Sequence, residues 1–214
     1  MTTDTLSPSE TPLVLDEQTA DLLFREARTV NTFSDDEITD EQLTAVYDLV
    51  RWGPTAMNTS PMRVLVVRSP EGRARLAAHM ADGNRAKTER APLSLVVATD
   101  VDFHEHMGRL APHMAAVAEG LAGAPEARAA MARDNAFLQA GYLIVGLRAA
   151  GLHAGPMGGF DAAALDADLL AGTSWRSLLV INVGQAPAEH DDIPTPATYP
   201  RQTRLDFTEV ARAV

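Results

Sequence analysis

The 214-residue chain contains no cysteine, so disulfides, thiolate metal sites and a cysteine nucleophile are all excluded. Lysine is nearly absent as well: Lys87 stands alone against 17 arginines. Positive charge is scarce overall. The formal net charge of −11 opposes broad attraction to nucleic-acid phosphates, so any anionic ligand must be met by a local cluster of cations. No apolar run approaches the roughly 20 residues that span a bilayer. The opening "MTTDTLSPSETP" has neither a basic n-region nor an apolar h-region. A cytoplasmic protein without a membrane or nucleic-acid partner is expected. Phosphate and hydrolase signatures are missing too: no G-x-G-x-x-G, P-loop, G-x-S-x-G or H-E-x-x-H. The histidines of "DFHEHMGRLAPH" (His104, His106, His113, with Asp102 and Glu105) fit no common ligand spacing, so no metal is expected.

What the chain does have is a 46% hydrophobic composition, enough for a sizeable core. Residues 1–12 are rich in Ser, Thr and Pro and are expected to be disordered; 13–214 reads as one domain. Ala20, Leu23, Phe24 and Ala27 have helical spacing. A second helix starts at the capping box Thr39/Gln42, shows Leu43, Val46, Tyr47 and Val50 on one face, and stops at Gly53–Pro54. Strands are predicted at 63–69, 93–100 and 177–185, and a short helix over "EGRARLAAHM". Residues 133–152 form an almost all-apolar helix ending near Gly151, with Ala140 and Gly141 small enough for close packing. Strands and helices in this mixed order predict an α+β fold of three layers, α/β/α. The tail holds Pro194, Pro196 and Pro200, which make it extended, and carries Arg201 and Arg204 beyond the last core element. Such a tail suits a crossing over a neighbouring subunit.

Several polar stretches could carry chemistry. "EARTVNTF" puts Arg28, Thr29 and Asn31 just after the first helix. "WGPTAMNTSPMR" is a polar turn leading into a strand, and "GNRAKT" offers Asn84 and Lys87 within one turn. "GPMGGFD" (155–161) reads as a glycine-rich loop whose backbone can approach a flat ligand closely. Each has an ordinary structural explanation when taken alone.

Their order does not. Arg28–Thr29, the turn Pro54-Thr55-Ala56-Met57-Asn58-Thr59-Ser60-Pro61, the turn Asn84-Arg85-Ala86-Lys87, the loop Pro156-Met157-Gly158-Gly159-Phe160 and the pair Arg204–Leu205 follow one another as in a known family. Over residues 20–210 the chain resembles the FMN-dependent nitroreductases, and most closely their malonic semialdehyde reductase branch. The resemblance implies a nitroreductase-like fold, a central mixed or antiparallel sheet flanked by helices, in an intertwined homodimer whose C-terminal extension crosses the partner. FMN sites would lie at the interface. Arg28, Thr29, Asn31 and Arg204, with Arg201, would hold the FMN phosphate and ribityl chain. Pro54, Thr55, Ala56 and Asn58 of the other subunit would cover the ring, and Asn84 and Lys87 would meet its pyrimidine edge. Pro156, Met157, Gly158 and Gly159 would lie beside N5, and residues 101–132 would form a variable cover.

The implied reaction is ping-pong: NADH or NADPH delivers hydride to N5 and a small acceptor collects it, with His104 or His113 as candidate proton donors. Candidate acceptors are malonic semialdehyde, giving 3-hydroxypropanoate, or nitroarenes and quinones. A non-catalytic flavin-storing or sensing protein is the reading from another class. The chain departs from much of the family at Gly158, where an acidic residue often stands, and at Asn31, where a basic one does.

Overall fold

A computed structural model describes residues 13–187 and 202–214. The expected disorder of 1–12, the prolines at 194, 196 and 200, and Arg201 lie outside the described residues. The core is one antiparallel sheet of β1 (Met62–Val67), β2 (Leu93–Asp100), β3 (His153–Met157) and β4 (Trp175–Gly184), in the order β1-β2-β4-β3. All eight residues of β2 are buried, the apolar Leu93, Leu95, Val96, Val97 and Ala98 together with Ser94, Thr99 and Asp100. That pattern belongs to a central strand covered on both faces.

The helices supply the covering layers. They are α1 (Glu17–Ala20), α2 (Asp40–Val50), α3 (Pro70–His79), α4 (Asp82–Arg90), α5 (Met107–Leu110), α6 (Ala115–Ala122), α7 (Pro125–Ala149), α8 (Ala162–Leu169) and α9 (Phe207–Val210). On one face Val46 of α2 and Ala136, Ala140, Leu143 and Leu147 of α7 cluster with Leu95, Val97, Ile181 and Val183 of the sheet. On the other, Leu76 of α3 and Leu165 of α8 close over Val96, Ala98 and Val180. The three-layer expectation is met.

Local signals placed several boundaries. Thr39 and Gln42 form the reciprocal capping box of α2. Ser69 caps α3 by accepting from the Gly72 N–H at 3.0 Å. Gly151, at φ 73°, ends α7 with the left-handed turn that glycine adopts at least cost.

Four expectations need correction. Of the stretch 155–161 read as a loop, Gly155 to Met157 belong to the edge strand β3, which pairs with β4 alone among the described residues, so Pro156, which lacks an N–H, is tolerated there. The long helix begins at Pro125, eight residues before 133, because the Ala-rich run 125–132 continues it. The close approach on α7 is at Gly146, where a Cβ would collide with Val50 of α2, whereas Gly141 faces open space. The first helix is one α-turn followed by a π-turn (Asp21–Arg25), and Phe24 is exposed.

Candidate functional site

The predicted site residues fall into two groups. The first gathers at the β3 edge. Asn84, in the first turn of α4, donates from Nδ2 to the Gly159 carbonyl at 3.1 Å, and the Ala81 N–H donates to the same oxygen at 3.0 Å. The "GNRAKT" and "GPMGG" stretches are therefore physically joined. Gly158 is exposed with open space around it. Lys87, one turn beyond Asn84, is half-buried and takes part in none of the ion pairs found among the described residues.

Residues 28–33 cross the same edge. The Val30 carbonyl lies 2.7 Å from where a Cβ on Gly155 would stand, so only glycine lets this segment touch β3. Val30 and Phe33 cluster with Ala91 at the end of α4. Arg28 leads into this crossing and lines a cavity of about 160 Å³ with Arg148, His153, Asp21 and Glu26. Its guanidinium donates to the carbonyls of Arg25 and Ala27 and lies 3.6 Å from Glu26. Thr29 is exposed and Asn31 half-buried.

Desolvation lowers the pKa of Arg148, and desolvation with the Arg148 charge lowers that of His153. A histidine with a depressed folded pKa stays neutral where the unfolded chain protonates. Its contribution is present above the ordinary histidine pKa and is lost as pH falls below it. Urea titrations at about pH 7.5 and 5.5, bracketing that pKa of ~6.5, should show a smaller acid-side loss in His153→Gln than in the wild type.

The second group is the turn before β1. Met57, Asn58 and Ser60 have φ of 52°, 54° and 42°, a left-handed conformation that costs such residues about 1–3 kcal/mol each. Strain of that size persists only where neighbours over-determine it. The Ala56 N–H donates to Asn135 Oδ1 at 2.6 Å and the Met62 N–H to Gln139 Oε1 at 2.9 Å, both from α7. Asn58 Nδ2 donates to the Leu110 carbonyl at 2.8 Å, and the Ser60 N–H to Thr55 Oγ1 at 3.2 Å. Arg63 donates to the Ser60 carbonyl at 3.0 Å. Met57 packs against Phe103, Met107, Leu121 and Ala132. The region 101–132 is thus short helices and the start of α7, seated directly on the turn.

The two groups do not meet within one chain. β1 and β3 are opposite edges, three strand spacings or about 14 Å apart. Along the strands, Met62 aligns through Thr99 with Arg176, whereas Met157 aligns with Val180. Pro54, Thr55, Ala56 and Asn58 therefore stand apart from Asn84, Lys87 and Pro156 to Gly159. Arg204 is exposed, donates to the carbonyls of Gln202 and Thr203, and does not line the Arg28 cavity.

The model of the Nitroreductase family matches residues 24–185, most of the chain. The chain belongs to the nitroreductase family. A relative from Streptomyces griseus, provisionally named an NADH dehydrogenase/NAD(P)H nitroreductase, is 50% identical over 202 residues, 94% of this chain and 99% of its own. Another of the same provisional name, from Leptothrix cholodnii, is 50% identical over 194 residues, 90% of this chain and 94% of its own. Among solved structures, a provisional nitroreductase from Exiguobacterium sibiricum in complex with FMN superposes with a TM-score of 0.76 at 18% identity, over 95% of this chain and 99% of that one.

The turn and the Arg28 cavity also contain residues that carry little or no signal in the sequence pattern. Asn135 and Gln139 are buried amides, and their signal was two polar residues four apart in an apolar helix. Arg148 and His153 had no local signal, because only the crossing of residues 21–28 over the end of α7 brings them beside Arg28. His113 is exposed, while His104 keeps a buried Nδ1 without a hydrogen-bond partner among the described residues.

Proposed function

We propose that the protein is an FMN-dependent NAD(P)H oxidoreductase that works as a homodimer with its sites between subunits. The observation that carries this is the separation of the two groups: each is well built, and neither alone encloses a flat cofactor. A second copy would bring its strained turn against the β3 edge of the first. Further support comes from the β1 edge. An apolar groove of about 460 Å³, lined by Leu43, Tyr47, Val64 and Val66, runs between it and α2. Leu205, Phe207 and Val210 near the C-terminus are exposed apolar groups suited to cover such a groove on a partner.

The residues present fit FMN. Lys87 is a half-buried cation without an anionic partner among the described residues, Gly158 leaves open space, and Arg28 and Arg204 suit a phosphate dianion. Bound FMN supplies hydride acceptance and donation between NAD(P)H and an acceptor. Arg28, Thr29, Asn31 and Arg204 hold the phosphate end. Asn84 fixes the Gly159 loop while Lys87 places a point charge at the pyrimidine edge. Pro54, Thr55, Ala56 and Asn58 of the partner exclude water from the ring. His104, with its unpartnered Nδ1 in the cover, is better suited than the exposed His113 to hold a proton for the acceptor.

The choice of acceptor class is supported by which cations remain available. Arg63 is committed to Asp100 at 2.7 Å, and Arg85 to Asp82 and to the carbonyls of Ala77 and Met80. Arg109 is exposed, enters none of the ion pairs among the described residues, and neighbours Leu110, whose carbonyl Asn58 holds. A free cation beside the turn favours a small carbonyl acid of the malonic semialdehyde type over a neutral nitroarene or quinone.

The test is the visible spectrum of the protein with FMN, then anaerobic NADH, then each acceptor. Flavin bands that bleach and return fastest with the semialdehyde support the full reading. Faster return with a nitroarene moves it to a general nitro and quinone reductase, and bleaching without return leaves a flavin-storing protein. Lys87→Ala is expected to lower the flavin midpoint potential. A cation a few ångströms away contributes about 1–4 kcal/mol, or about 20–90 mV for two electrons. An unchanged potential would remove Lys87 from the site.

A further inference from the structure

We propose that Arg63 is the positioning residue of the strained turn, and that its ion pair with Asp100 serves to fix that turn for the cofactor. The inference rests on the reading of the turn as the partner-side wall of an FMN site. Arg63 is on β1, and its side chain is 21% exposed. It folds back on the turn. Nη1 donates to the carbonyls of Ser60 at 3.0 Å and Met62 at 2.9 Å, and Nη2 to Asp100 Oδ2 at 2.7 Å. Ser60 is the last residue of the turn with positive φ, so the guanidinium catches the carbonyl where the left-handed backbone returns to the strand.

Asp100 is itself immobilised. It is 4% exposed, and its Oδ1 accepts from Ser174 Oγ at 2.6 Å and from the Asp102 N–H at 2.9 Å. Its own N–H donates to the Pro61 carbonyl at 2.8 Å. His106 Nε2 on the cover lies 3.7 Å from Oδ2. The turn is therefore tied through one guanidinium to β2, to the start of β4 and to the edge of the cover. A buried ion pair contributes little net stability against an apolar replacement, so its directed geometry is the more informative property. Lysine could keep the charge but not the planar fork that serves several acceptors together.

The discriminating variant is Arg63→Met/Asp100→Asn. Its carboxamide oxygen can still accept from Ser174 and Asp102, and no buried charge is left unpaired, so the protein should fold. The expected result is an apo melting temperature within about 3 °C of wild type, FMN affinity lowered about 10-fold, and an altered visible circular dichroism of the bound flavin. Arg63→Lys should fold and bind FMN with intermediate affinity. Wild-type affinity and wild-type visible dichroism in the double variant would overturn the proposal, as would full recovery in Arg63→Lys. So would a loss of FMN that merely tracks a large fall in apo stability. A wild-type protein that takes up no FMN would instead overturn the cofactor reading on which this rests.

Discussion

Arg28→Ala and Arg204→Ala are each expected to weaken FMN binding about 10- to 100-fold, and the double variant to emerge without flavin. A charge-assisted hydrogen bond is worth about 1.5–3 kcal/mol, and each 1.4 kcal/mol is about tenfold in affinity. The effect should be large here because the chain carries a net charge of −11 and has few spare cations. Arg148 and His153 share the Arg28 cavity, so they set how much binding survives in Arg28→Ala. Arg148→Ala should therefore cost less alone than in the Arg28→Ala background. Quenching of FMN fluorescence on titration, repeated at several salt concentrations, measures all of this. Equal FMN content in Arg204→Ala and Lys87→Ala would sink the phosphate assignment, since Lys87 is placed at the ring and not at the phosphate.

Gly155→Val is expected to lose FMN and stability together. The Cβ would stand 2.7 Å from the Val30 carbonyl oxygen, and backbone cannot yield as a flexible side-chain tip can. The crossing segment is held beyond that point by the Ser34 N–H to the Gln185 carbonyl at 3.0 Å and by Phe33 against Ala91. The displacement must then run back toward Thr29 and Arg28. Overpacking of this kind costs about 1–3 kcal/mol, and at this length each kcal/mol is about 2–4 °C in melting temperature. Thermal melts of the apo protein with FMN titrations would check it. A variant that melts normally and binds FMN normally would show that residues 28–33 do not depend on contact with β3.

Much of the fold was legible because its signals are local. The capping box of α2 and the glycine ending α7 act within four or five residues of chain, which is the range that a pattern can report, whereas Ser69, read as the end of a strand, caps α3. The strand at 153–157 was not legible. Its glycine and proline argue for a loop, and only its place at the edge of the sheet makes them acceptable. Gly146 carries no local signal for a similar reason: nothing in the run around it shows that Val50 lies opposite.

The candidate site divides along the same line. By itself the sequence determined which residue types are present and in what order: Arg28–Thr29, the turn 54–61, Asn84 and Lys87, the loop 156–160, and Arg204. That order suffices for the family, because five weak motifs in series are together specific. Only the tertiary structure decided which of those residues come together. It joined Asn84 to Gly159 across 75 residues and committed Arg63 to Asp100 across 37, leaving Lys87 without an ion-pair partner among the described residues. It also put the two groups of candidate residues on opposite edges of one sheet. The physical reason is that backbone preference and hydrophobic periodicity act over neighbouring residues, whereas the pairing of a cation with a carboxylate depends on which strands become adjacent. Strand order is a property of the whole core, and no short stretch contains it.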